Sequence, residues 1–147
     1  MKFAELTPGL HISCGTRRVL ESEILDFARQ YDPQWFHIDS HRAHAGRWRG
    51  LISSGWMTCS IAMEMVCRTI LNGSEGMGSP GVESLSWPAP VRPNDILSLT
   101  VVVLHSRISK SGKYGVLQWQ WLLDNQDGKR VLDLITTCLF DLQADTP

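Results

Sequence analysis

Between Ser53 or Ser54 and about Leu71, apolar residues fall on nearly every side of a helical wheel. They are Trp56, Met57, Cys59, Ile61, Ala62, Met63, Met65, Val66, Cys67, Ile70 and Leu71. Glu64 and Arg68 form an i, i+4 charge pair among them. A helix that is apolar all round is buried, because no face of it suits water. A serine suits its start and Asn72-Gly73 its end. The rest of the chain must therefore supply a cover. The stripe Ile24, Phe27, Ala28 and Tyr31 predicts an amphipathic helix over residues 21–31. Pro33 stops it at Asp32. A short turn or helix follows from Asp39 to His44, capped by Asp39 or Ser40. Neither segment is large enough to enclose the long one, so a sheet must do it.

The second half reads as that sheet. Asn72 to Gly81, with its four glycines and a proline, reads as a loop dividing the chain. Strand character starts over Leu85–Trp87 and is punctuated by Pro88, Pro90 and Pro93. Longer strands are predicted over Asp95–Ile108, Val116–Leu123 and Val131–Leu142. Ser109 to Lys113 forms a turn, and Asn125-Gln126-Asp127-Gly128 signals a hairpin. In the middle strand Gln118 and Gln120 alternate with Trp119 and Trp121. The expectation is one α+β domain spanning residues 1–147, a long central helix wrapped by a curved antiparallel sheet.

Composition narrows the function. A chain of 147 residues, 43% hydrophobic, builds one core without staples. Fourteen Lys+Arg against 15 Asp+Glu leave a net charge of −1, so no nucleic-acid or anionic-membrane partner is expected. No stretch reaches the ~20 apolar residues of a membrane span. The opening residues Met1 to Gly9 do not read as a signal peptide. Cys14, Cys59, Cys67 and Cys138 contain no CxxC pair and read as buried free thiols. These features together place the protein in the cytoplasm.

The densest polar cluster runs from Tyr31 to His41. Asp32 and His37 are separated by a Pro-containing turn that can bring both side chains to one water, as a general acid/base pair requires. Trp35 and Phe36 between them would exclude water and raise the carboxyl pKa. The same residues also fit a capped turn and a packed histidine. Downstream, Gly50-Leu51-Ile52-Ser53-Ser54-Gly55-Trp56 leads into the buried helix. Its first N–H groups lack internal partners and carry the positive end of the dipole, where a developing oxyanion can sit. A serine-capped helix start with no ligand fits equally. His37, Asp39, His41 and His44 have a metal-like spacing, but a helix cap and a solvated short helix account for them too. Arg42, Arg47 and Arg49 read either as a charged loop or as a phosphate contact.

Together these motifs carry a resemblance. Phe27-Ala28-x-x-Tyr31-Asp32-Pro33-Gln34-x-Phe36-His37-x-Asp39, then Gly50-Leu51-Ile52-x-Ser54-Gly55-Trp56, resembles the MaoC-like dehydratases, which include the R-specific enoyl-CoA hydratases. Ser79-Pro80-Gly81-Val82-x-x-Leu85-x-Trp87-x-x-Pro90-Val91-Arg92-Pro93-x-Asp95 extends it. The resemblance implies the hotdog fold and reversible hydration of a trans-2-enoyl thioester. It implies that Asp32 and His37 activate the water and that the Gly55 N–H holds the thioester carbonyl. Trp35, Phe36, Ser54, Trp56 and Trp87 are the expected substrate contacts. No metal or redox cofactor is implied; coenzyme A or an acyl carrier enters as part of the substrate. A homodimer or dimer of dimers is implied, with sites at the interface. The chain departs from the pattern at Pro33-Gln34, where many R-specific hydratases have Asn-Pro, and at Arg49, where a Gly-Gly pair is common. Met63 stands where some have a serine. A thioesterase and a non-catalytic acyl-thioester binding module are the competing readings.

Overall fold

The computed structural model describes residues 1–143. Its elements are β1 (His11–Arg18), α1 (Glu21–Tyr31), α2 (Trp35–Ile38), α3 (Ser40–Ala45), α4 (Gly55–Val66), β2 (Gly76–Ser86), β3 (Ile96–Ile108), β4 (Tyr114–Asp124) and β5 (Arg130–Asp141). One antiparallel sheet has the order β1-β3-β4-β5-β2. This is the hotdog arrangement, a long helix held against an antiparallel sheet.

The helix boundaries follow local chemistry. Ser54 caps α4, its Oγ accepting from the Trp56 N–H. The helix then loosens into one π turn, Cys67–Leu71, closed by the Asn72 N–H on the Cys67 carbonyl at 2.9 Å. Gly73, at φ +69°, takes the chain out, as its freedom in the left-handed region allows. Of the two cap candidates for α3, Asp39 takes the position, its Oδ1 accepting from the Arg42 N–H at 2.9 Å.

The core lies between α4 and one face of the sheet. Met57, Ile61, Ala62, Met65 and Val66 of α4 are buried. So are Leu97, Leu99, Val101 and Val103 of β3, and Leu117, Trp119, Trp121 and Leu123 of β4. The odd-numbered spacing on each strand is the alternation that a half-buried strand imposes. Each such side chain contributes about 1.5–3 kcal/mol by leaving water.

Three features differ from the sequence reading. First, β1 carries no sequence signal. Its residues are mostly polar, Cys14 alone is buried, and Gly15 at φ +79° marks a break in register against β3. Second, the glycine-rich stretch assigned to a loop forms most of β2. It pairs with β5 across three register irregularities, two of them between glycines. Both are edge strands, where weak burial leaves little pattern. Third, α4 is not buried on every side. Trp56 is 60% exposed and Met63 40%, with Ser60 exposed between them. The sheet covers one flank of the helix and leaves that line open.

Candidate active site

Asp32 sits where α1 ends, with its N–H on the Ala28 carbonyl at 2.9 Å. Pro33 prevents a further turn, and the chain folds into the short α2 that carries His37. The result sets Asp32 Oδ2 3.3 Å from His37 Nε2. His37 is buried, and its Nδ1 lies 2.7 Å from the Ile52 carbonyl oxygen. A carbonyl only accepts, so Nδ1 donates to it, and Nε2 is the ring atom turned toward Asp32. Phe36 stands edge-on to the imidazole at 4.4 Å between centroids and helps fix its plane.

The carboxylate is held from both sides. Ser54 Oγ donates to Oδ2 at 2.7 Å, and Gln34 Nε2 donates to Oδ1 at 2.8 Å. Burial pushes this carboxyl up, but the two donors and the adjacent imidazole outweigh it and hold its pKa below the ordinary range. This corrects the expectation of a raised pKa. Trp35, expected to desolvate the acid, instead stacks beneath Arg42 at 4.7 Å and packs on Gly46.

A lowered pKa means that the folded state binds fewer protons at Asp32 than the unfolded chain does. The resulting stabilisation is full above the unfolded pKa of ~3.9 and is lost as pH falls through the lower folded value. In urea unfolding, the stability advantage of wild type over Asp32→Asn should therefore shrink as pH drops below ~4. An advantage that stays constant down to pH ~3 would contradict the lowered value.

His37 and Gly55 line one cavity of ≈200 Å³, together with Trp48, Thr58, Trp87 and Val131 among others. Gly55 is the first residue of α4, and its N–H makes no hydrogen bond among the described residues. The cavity thus brings His37, the partner of Asp32, to the free N-terminus of α4. The carboxylate and Nε2, 3.3 Å apart, are close enough for one water to bond to both.

The expected substrate contacts divide. Trp87 lines the cavity. Ser54 serves the carboxylate. Phe36 supports the histidine. Trp35 lies apart, and Trp56 packs edge-on against Trp87 at 5.3 Å, outside the cavity lining. His37, Asp39, His41 and His44 do not converge: His37 is bonded to Ile52, Asp39 caps α3, and the other two are exposed on α3. Sequence reading missed four contributors. The Ile52 carbonyl and Gln34 orient the pair, Trp48 walls the cavity, and Arg92 Nη2 donates to the Trp48 carbonyl at 2.7 Å. A backbone carbonyl leaves no mark in sequence. Arg92 stands in the Pro90-Val91-Arg92-Pro93 run, the one available signal.

The hotdog fold thus sets an Asp/His pair, from the end of α1 and from α2, beside the start of its central helix. The chain belongs to the MaoC-like domain family, which matches residues 5–119. It is 29% identical over 117 residues to the uncharacterized protein YdeM of Bacillus subtilis (strain 168), covering 80% of this chain and 82% of that one. It superposes on the MaoC-like dehydratase from Rhodospirillum rubrum with a TM-score of 0.86 and 31% identity, covering 96% and 97% of the two chains. The R-hydratase PhaJ1 from Pseudomonas aeruginosa shares the fold, with a TM-score of 0.73 at 20% identity over 95% of this chain and 84% of that one.

Proposed function

We propose that the protein reversibly hydrates a trans-2-enoyl thioester to a 3-hydroxyacyl thioester. The observation that carries this reading is the pairing of Asp32 Oδ2 with His37 Nε2 at 3.3 Å, with His37 sharing a cavity with the free N-terminus of α4. The water oxygen bonds to C3 and gives a proton to Asp32. The C2=C3 electron pair moves onto the thioester carbonyl, and the enolate oxygen is held at the Gly55 N–H. C2 then takes a proton from the Asp32–His37 pair, which returns to its starting state. Fixing the carboxylate in its ionised form keeps it ready as the base.

Arg42, Arg47 and Arg49 are exposed, and none makes an ion pair among the described residues. Arg47 stacks on Trp48 at 5.3 Å, at the wall of the cavity. This placement supports a role in holding the phosphates of coenzyme A or an acyl carrier.

The deciding experiment follows the product. Crotonyl-CoA should lose its enoyl absorbance without releasing free thiol. Thiol release would make the protein a thioesterase, and binding without either change would make it a binding module.

A second copy of the chain is proposed to cover the Trp56–Ser60–Met63 line of α4 and the open edge of β2. These features lie on or beside a second, apolar cavity, and β2 has an unpaired edge along its length. Light scattering at micromolar concentration should give twice the chain mass; a monomer would overturn this.

A further inference from the structure

The loop between α3 and α4 orients His37. Ile52, near its end, offers the carbonyl that accepts from Nδ1 at 2.7 Å, and Trp48 within it walls the catalytic cavity. Arg49 at φ +54° and Gly50 at φ +151° stand in backbone regions that side chains seldom adopt. Such a conformation persists only where surrounding contacts fix it. Backbone bonds fix part of the loop: the Gly50 N–H donates to Ala43, the Ile52 N–H to Phe36 and the Ser53 N–H to Val91. The Arg92 side chain fixes the middle. Its Nη2 donates to the Trp48 carbonyl at 2.7 Å, and its Nη1 lies on Gly50, where a Cβ would stand 3.2 Å from it.

Arg92 has a rigid base. Its N–H donates to Asp95 Oδ2 at 2.8 Å, and the Asp95 N–H returns to the Arg92 carbonyl at 3.1 Å. Asp95 is buried, and its Oδ1 accepts from Gln126 Nε2 at 2.9 Å. Gln126 Oε1 in turn accepts from the Ile96 N–H at 3.0 Å. Pro93 follows Arg92 and fixes its own φ. The guanidinium makes no ion pair among the described residues. Its planar fork is thus committed to the loop, and a donor on a fixed base sets the place of its acceptor.

We propose that Arg92 is a positioning residue: by bracing the Trp48–Gly50 segment it keeps the Ile52 carbonyl on His37 and the imidazole turned toward Asp32. The catalytic consequence rests on the hydratase reading above. Arg92 is not part of the cavity lining. Its influence on the chemistry passes through the loop, so its loss falls on the orientation of His37 rather than on the binding of substrate.

The test reads two quantities in wild type, Arg92→Met and Arg92→Lys. One is the NMR resonance of the His37 Nδ1 proton on the Ile52 carbonyl, identified by its absence in His37→Gln. The other is kcat and KM for crotonyl-CoA. In Arg92→Met the resonance should move or broaden, and kcat should fall by roughly tenfold to 10²-fold with KM changed far less, the scale of a displaced catalytic group. Arg92→Lys keeps a charged donor for the Trp48 carbonyl without the planar fork, and should fall between wild type and Arg92→Met in both readouts. If Arg92→Met does not fold, Arg92→Lys carries the same comparison. An unmoved resonance overturns the proposal whatever the activity does. So does a moved resonance with unchanged kcat, and so does a rise in KM alone, which would make the guanidinium a substrate contact. If wild type leaves crotonyl-CoA unchanged, the hydratase reading fails on its own. The resonance then tests the bracing of His37 by itself, and its movement supports that bracing.

Discussion

Replacing Asp32 with Asn is expected to cut enoyl-thioester hydration by roughly 10²–10⁴-fold, the range a positioned general base contributes. Asn preserves the volume of the side chain. Its carbonyl oxygen can still accept from Ser54 or Gln34, so the turn between α1 and α2 should hold. What it cannot do is take a proton from the attacking water. The loss should therefore fall on kcat, with KM little changed, because the group acts in the transition state. Loss of crotonyl-CoA absorbance measures the rate, and a cooperative unfolding transition shows that the variant is folded. Turnover by folded Asp32→Asn at the wild-type rate would remove Asp32 from the mechanism.

Gly55→Ala should lower kcat/KM by about 10²-fold, the scale of losing one oxyanion donor. Alanine retains the N–H, so the effect is one of position. The new methyl carbon would stand 2.5–2.8 Å from three atoms of the Trp87 ring, closer than real carbons pack. Either the indole or the first turn of α4 must move, and both border the cavity that holds His37. Tryptophan fluorescence should shift along with the activity, because Trp56 and Trp87 pack against each other. A variant within twofold of wild type would show that neither the indole nor the helix start is tied to catalysis.

Much of the scaffold was legible because burial writes periodicity. The alternation of Gln118 and Gln120 with Trp119 and Trp121 became the in-and-out pattern of β4. Pro33 ended α1 at Asp32 as local sterics require. The edge strands were not legible, for the same reason in reverse. β1 buries only Cys14, and β2 is exposed along almost all of its length. Without a buried face there is no alternation to read, and the glycines of β2 resemble a loop.

The site divides similarly. Asp32 and His37 stood out as groups that exchange protons across a turn. The lowered pKa of Asp32 and the orientation of His37 did not, because they depend on partners distant along the chain: Ser54 on Oδ2, and the Ile52 carbonyl on Nδ1. Intervening aromatics implied a raised pKa, but Trp35 turns away toward Arg42 and hydrogen bonds reverse the sign.

The sequence by itself determined that an apolar helix must be held by a long antiparallel sheet, because no other element could cover it. It also set an acid and an imidazole on either side of a Pro33 turn that can bring them together. Only the tertiary structure decided that one flank of the helix stays open, that Asp32 is held ionised, and that Trp87 lies on Gly55. Those outcomes depend on contacts between residues far apart in the chain, and local chemistry does not encode such distances.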